Sequence, residues 1–375
     1  MTQKERLNRS LQFKPVDRPP FMEIALWEQT VERWRDEELP DAAASADLLS
    51  GNEYFGLEGY DIVLFNLTFP QPCPEDRMIS EDKRYITFID GMGRKRIALK
   101  EGMIRGMRVS MDSYVEHPVK TREDFRHIKS GYEIDFEDRL PENWADVKAS
   151  LKKSLRPSMF LDRYFASFGY YSMLRNWMGT EGLSYMFYDD PGLVHDCLNF
   201  LTEFITTFLT IALSEVSFDL YYIHEDLAGR NGPLLSPDLF ERFFLPHYTK
   251  LVELLKSHGV KNVIVDTDGN FEVLIPLFLE AGVEGFGPIE VAAGMDALQL
   301  RKKYGNAFFM IGGIDKRVLT RDREAVKREL KRIIPPMLEQ GGFIPTIDHS
   351  IPPDVRLDSF KYYLEMKWKA IHGEL

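Results

Sequence analysis

From Asp190 onward, apolar runs alternate with amphipathic helical stretches five times, and few folds can use such a string. The runs are "FDLYYI", "NVIV", "VEGFGPIE", "AFFMIGG" and "GGFIPTI". Most are nearly continuous in apolar residues, the pattern of a parallel strand covered on both faces. The helical stretches carry their own start and stop signals. Asp190-Pro191 supplies an N-cap followed by proline at the first helical position, and the spacing predicts a helix to about Glu215. Ser236-Pro237 opens a second, with Phe240, Phe243, Phe244, Leu251, Val252 and Leu255 as its stripe and Gly259 as its stop. Further helices are expected over residues 271–281, 295–304, 322–340 (kinked at Pro335-Pro336) and 356–371.

In the first half, "PPFMEIA", "DIVLFNL" and "SMFLDRYF" read as three more strands, which makes eight candidates. Eight parallel strands, each followed by a helix, predict a single (β/α)8 TIM barrel over residues 1–375, with an open doubly wound sheet as the alternative. A chain of 375 residues is long enough for one such core. Residues 82–101, "DKRYITFIDGMGRKRIALKE", alternate around a glycine-rich turn and predict an inserted antiparallel β-hairpin. The polar stretch 116–157 is expected to wrap the outside.

Net charge is −12, with 59 acidic against 47 basic side chains, so a phosphate-tracking surface and a nucleic-acid partner are not expected. Two cysteines, Cys73 and Cys197, exclude a disulfide framework. The opening "MTQKERLNRSLQFKP" lacks the apolar core of a signal peptide. The most membrane-like window, residues 197–214, carries Glu203 and places Leu198, Leu201, Ile205, Phe208 and Ala212 at helical spacing. It reads as a buried helix and not a span, and the expected location is the cytoplasm.

In a barrel, ligands meet the C-terminal ends of the strands, and here those ends carry acids. The first strand delivers Glu23 and the second Asn66. The later ones deliver His224-Glu225-Asp226, Asp266 with Asp268, Glu290, Asp315, and Asp348-His349. Some of these acids cap the helices that follow, a role that suits Asp315. For Asp266 and Asp268, capping and function weigh equally. Converging carboxylates repel one another, and a cation, a shared proton or a cationic substrate relieves the repulsion. Imidazole with carboxylates suits Zn²⁺, which makes His224 and His349 candidate ligands.

The chain resembles the uroporphyrinogen decarboxylase superfamily, which also contains corrinoid-dependent methyltransferases. The resemblance rests on "KERLNRSLQFKPVDRPPFM", "HEDLAGRNGPLLSPDLFERFFLPHYTKLVELLKSHG", "DTDGN", "YGNAFFMIGGID" and "GGFIPTIDHSIPPDV". It implies a single barrel with its pocket at the C-terminal mouth. Decarboxylases of this family carry M-R-Q-A-G-R after the first strand, with arginines for substrate carboxylates. Here Met22-Glu23-Ile24-Ala25-Leu26-Trp27 stands in that place, and Asn66-Leu67-Thr68 replaces the pyrrole-binding aspartate region. One close like-charge pair costs roughly 4 kcal/mol at an effective dielectric of about 20. An acidic rim is therefore expected to repel an octacarboxylate.

The methyltransferase branch uses a zinc site of His-x-Cys and a later Cys. The matching positions are Asp266, Asp268 and His349, so the resemblance implies Zn²⁺ on those three, with Glu225 as fourth ligand or general base. Glu23, Asn66, His224, Asp226 and Asp348 are then expected to contact a small methylated substrate, and a separate corrinoid protein to dock at the mouth. The alternatives are a metal-free decarboxylase with His349 or Asp266 as proton donor, and a non-catalytic barrel that binds a tetrapyrrole or corrinoid. The oligomeric state stays open, a homodimer included.

Overall fold

The computed structural model describes residues 1–101, 103–104, 107–108, 111–132, 136–162 and 169–375. Seven strands form one parallel sheet in chain order. They are β1 (Asp61–Phe65), β2 (Ser158–Asp162), β3 (Leu220–Glu225), β4 (Asn262–Thr267), β5 (Gly285–Gly287), β6 (Phe309–Ile314) and β7 (Phe343–Ile347). Neighbours pair in register, for example Tyr222 with Ile264 and His224 with Asp266 between β3 and β4.

Successive side chains of a strand point to opposite faces, and the apolar residues divide accordingly. Val63, Phe160, Tyr221, Ile223, Val263, Val265, Phe286, Met310 and Ile347 join a large cluster with the surrounding helices. Ile62, Leu64, Met159, Leu161, Leu220, Ile264, Phe309, Ile311 and Ile344 line the other face, where they meet Leu7 and Leu11 of the N-terminal helix α1 (Gln3–Leu11). Helix α1 sits at the N-terminal ends of the strands. Asn8 donates to Asp219, just before β3, at 2.9 Å, and Lys4 pairs with the same carboxylate at 3.1 Å. One end of this face is thus plugged by leucines, and the polar side chains at the C-terminal strand ends mark the other.

The expected first strand is not a regular one. "PPFMEIA" and the Leu26 that follows it make only isolated bridges, Ala25 antiparallel to Asp47 and Leu26 parallel to Ile351. Pro19 and Pro20 have no N–H to donate, and Leu26 N–H goes to Ala46 O instead of a neighbouring strand. The sheet therefore has seven regular strands where eight were expected.

The expected two-stranded hairpin is the centre of a larger insert. Strands Arg77–Glu81, Tyr85–Ile89, Lys95–Leu99 and Ser113–Glu116 form a four-stranded antiparallel sheet. Its central turn is organised by Asp90, whose Oδ1 accepts from Met92 N at 3.1 Å and Arg94 N at 3.0 Å.

Helix α3 (Pro191–Glu215) follows the Asp190 cap as expected. It is long and apolar enough to cross a membrane by length and composition, and Leu198, Leu201, Ile205, Phe208 and Ala212 are buried in the large cluster. The helix Arg323–Gln340 continues through Pro335 and Pro336.

Candidate active site

The period of two that splits the core also sorts the rim acids. On β3, Glu225 follows Tyr221 and Ile223 on the helix-covered face, whereas His224 follows Leu220 and Tyr222 on the plugged one. By the same alternation Ile62-Leu64 leads to Asn66, and Ile264 leads to Asp266 and Asp268.

Glu225 is consequently buried against helix α2 (Tyr170–Met178). Its carboxylate accepts from Tyr171 N at 3.0 Å, Ser172 N at 2.9 Å, Ser172 Oγ at 2.7 Å and the Tyr248 hydroxyl. A Cβ on Gly169 would lie 2.0 Å from Glu225 Cδ, so glycine is required for this approach. Burial raises the Glu225 pKa against those hydrogen bonds. It caps a helix and is neither a free base nor a fourth metal ligand. Glu23 is corrected likewise. It is 1% exposed and paired with Lys367 Nζ at 2.6 Å, with Tyr363 OH at 2.6 Å and Ile347 N at 2.9 Å also donating.

Asp348 is fully buried and accepts from Val291 N at 2.8 Å and Lys316 N at 2.9 Å, which ties two loops together; burial pushes its pKa up to about 6. Asp226 is held by Arg175 through both its carboxylate and its carbonyl. Asp315 caps the short turn Lys316–Thr320 and pairs with Arg317 at 2.8 Å. Glu290 accepts from Gly269 N at 2.9 Å. These rim acids are thus partnered locally by cations or backbone donors, and the charges of Asp226, Asp315 and Glu23 are offset by Arg175, Arg317 and Lys367.

Asp266, Asp268, His224 and His349 remain, and the structure brings them together with Tyr222. The Tyr222 hydroxyl donates to Asp266 Oδ2, and His349 Nε2 lies 3.2 Å from Asp268 Oδ2. These contacts drive the two aspartates in opposite directions. Burial lifts Asp266 to about 6, assisted by the Asp268 charge and opposed by His224 and Tyr222. Burial also raises Asp268, but the hydrogen bond and charge of His349 carry it below its ordinary value. The bond to Asp268 in turn raises His349 against its own burial. Two carboxylates with pKa values pushed apart are the arrangement of an acid beside a fixed anion. Among the described residues, the buried atoms Asn66 Oδ1, His224 Nδ1 and His349 Nδ1 are without a hydrogen-bond partner. Buried orphans of this kind mark places for substrate or water.

The donor set does not suit a resident Zn²⁺. Asp268 and His349 bond each other, Asp266 is engaged by Tyr222, and among the described residues no group of three or more His, Cys, Asp or Glu is arranged to hold a metal.

A cavity of about 380 Å³ opens beside Asp268 and is walled by Arg230, Glu290 and Arg317. A larger one, about 850 Å³, lies between the antiparallel insert and α2 and meets the rim at Asp226 and Arg175. The smaller cavity is lined by Asp268, the aspartate bonded to His349.

Residues 102–367 match the family model described as uroporphyrinogen decarboxylase (URO-D). The chain belongs to the uroporphyrinogen decarboxylase family. Relatives within it are distant. The uroporphyrinogen decarboxylase of Nitratiruptor sp. is 22% identical over 284 residues, 72% of this chain and 76% of that protein. That of Vesicomyosocius okutanii is 23% identical over 185 residues, 48% of this chain and 50% of the relative. The chain thus spans about half the length of several curated relatives it matches. Among solved structures, a methyltransferase from Methanosarcina mazei superposes with a TM-score of 0.64 at 17% identity, covering 98% of this chain and 99% of that one. That likeness extends over nearly the whole of both chains and shows a shared fold.

Tyr222 is the site residue missing from the sequence reading. Its signal was its place two residues before His224 on the same face.

Proposed function

We propose that this family member is a cytoplasmic methyltransferase, its seven strands and the segment 19–27 closing into a (β/α)8 barrel with the reaction at the C-terminal mouth. One observation carries the reading: Asp266, bonded by the Tyr222 hydroxyl and raised by burial, stands beside an Asp268 that the His349 contact at 3.2 Å lowers. The substrate is a small molecule with a methyl group on oxygen or on an uncharged nitrogen. An acceptor nucleophile forms a bond to the methyl carbon as the bond to the heteroatom breaks. The electron pair stays on the heteroatom, and the Asp266 carboxyl delivers its proton there. Asp268 holds His349 in place, and Asn66 and His224 offer hydrogen-bonding atoms to the substrate. The acceptor is a corrinoid brought by a separate protein, which supplies the nucleophilic metal centre.

A carboxy-lyase is the second reading, favoured by the relatives' names. There Asp266 would protonate the carbon that loses CO₂. The test incubates the protein with small methoxy and methylamino compounds and free cob(I)alamin, and separately with uroporphyrinogen. The demethylated product is expected, with kcat/KM falling tenfold per pH unit above about 6, the Asp266 value. The Tyr222 hydroxyl stabilises the Asp266 carboxylate, so Tyr222→Phe is expected to move that limb to higher pH. CO₂ release from uroporphyrinogen without methyl transfer would overturn the methyl-transfer reading.

A further inference from the structure

The cavity beside Asp268 has four charged side chains in its wall: Asp268, Glu290, Arg230 and Arg317. Three are engaged. Asp268 bonds His349, Glu290 accepts from Gly269 N, and Arg317 pairs with Asp315 through two nitrogens at 2.8 and 2.9 Å. Arg230 is exposed and has no ion pair or hydrogen bond among the described residues. Its backbone is nevertheless firmly placed. It lies in the turn between the paired segments Ala228–Gly229 and Gly232–Pro233. Gly229 O accepts from Asn270 N at 2.9 Å, which fixes the turn against the end of β4.

Gly269 makes this contact possible. Its φ is +80°, and a Cβ there would meet the carbonyl oxygens of Ala228 and Gly229 at 2.7 Å. The rest of the wall is Ala228, Gly229, Gly269, Ala292 and Ala293, so no large side chain fills the space. The chain thus holds open a small cavity with Asp268 in its wall and a guanidinium lacking an ion-pair partner beside it.

We propose that Arg230 binds a carboxylate at the end of the substrate remote from the reacting methyl group. The inference rests on the reading that substrate sits beside Asp266 and Asp268, and it narrows the substrate to a small methylated monocarboxylate. A planar guanidinium and a carboxylate match in a two-point hydrogen bond. A phosphate dianion fits less well, because Asp268 and Glu290 share the wall with only one uncompensated cation. The family's substrate-binding arginines follow the first strand, where this chain has Glu23 and Trp27; Arg230 comes from the turn after β3.

Binding can be read without turnover. Thermal-shift titrations would use acetate, methoxyacetate, benzoate and 4-methoxybenzoate, with methoxybenzene and inorganic phosphate as controls. They would be run on the wild-type chain, Arg230→Gln, Arg230→Lys and Asp266→Asn. At least one carboxylate is expected to stabilise the wild type. Its apparent Kd should rise at least tenfold in Arg230→Gln, recover in part in Arg230→Lys and stay near wild type in Asp266→Asn. Absence of stabilisation by every carboxylate, equal binding by Arg230→Gln, or a preference for phosphate would overturn the assignment. Since turnover by Asp266→Asn tests the chemistry and carboxylate binding by Arg230→Gln tests the grip, failure of either is visible without the other.

Discussion

Asp266→Asn is expected to lower kcat by about 10²–10⁴-fold, the usual contribution of a positioned general acid. Asparagine keeps the size of the side chain and can still accept from the Tyr222 hydroxyl, so the fold should be retained by circular dichroism. What it cannot do is release a proton. The pH limb near 6 should therefore vanish along with the rate, because the group that titrates there is gone. Asp268→Asn should behave differently. It leaves the acid in place and removes the anion that stabilises the His349 imidazolium, so the His349 pKa falls. It also removes a charge that raises Asp266, so the limb should move to lower pH. Full activity in Asp266→Asn would remove the acid–base account.

The second large effect is on stability and lies on the opposite face of the sheet. Lys367 is 0% exposed and bonds Glu23 Oε1 at 2.6 Å and Met22 O at 2.7 Å. Burial lowers the Lys367 pKa, and the Glu23 charge works against that shift. Lys367→Met leaves Glu23 in the core with only Tyr363 OH and Ile347 N as donors. Removing one partner of a buried pair costs about 3–5 kcal/mol, much of it from the stranded charge. Urea unfolding should show that loss as a lower midpoint. The double variant Glu23→Gln with Lys367→Met should recover part of it, since no uncompensated charge remains. A loss under about 1 kcal/mol would mean that water reaches Glu23.

These two residues also show where sequence reading succeeds and where it stops. The strands after residue 190 were legible because β3, β4, β6 and β7 are apolar on both faces, a signal that survives without neighbours. The helix Pro191–Glu215 was legible from its Asp190 cap and its spacing. The segment 19–27 has similar apolar content, but two prolines and a hydrogen-bonding path to residues 46 and 351 deny it a ladder. Only the tertiary structure reveals that path. The four-stranded insert was half seen because its outer strand Arg77–Glu81 is exposed along its whole length and carries no burial pattern.

At the site, listing acids by their position at strand ends gathered two kinds of residue. Glu225 and Glu23 face the helices, and their partners Tyr248, Ser172, Lys367 and Tyr363 are far away in sequence. For Glu225, counting by twos from Tyr221 would have separated it from His224. What no count supplies is the partnering of Asp226 by Arg175 and of Asp268 by His349, which changes the rim from a ring of bare acids to a set of acids held by local partners.

The central claim is that two aspartates separated by one residue titrate apart, so that below about pH 6 Asp266 holds a proton while Asp268 stays ionised. Carboxyl carbon-13 NMR on aspartate-labelled protein, with signals assigned through Asp266→Asn and Asp268→Asn, follows each titration directly. Asp266 is expected to titrate near pH 6 and Asp268 below the usual aspartate range. Two ordinary curves near pH 4, or Asp268 titrating above Asp266, would contradict the account.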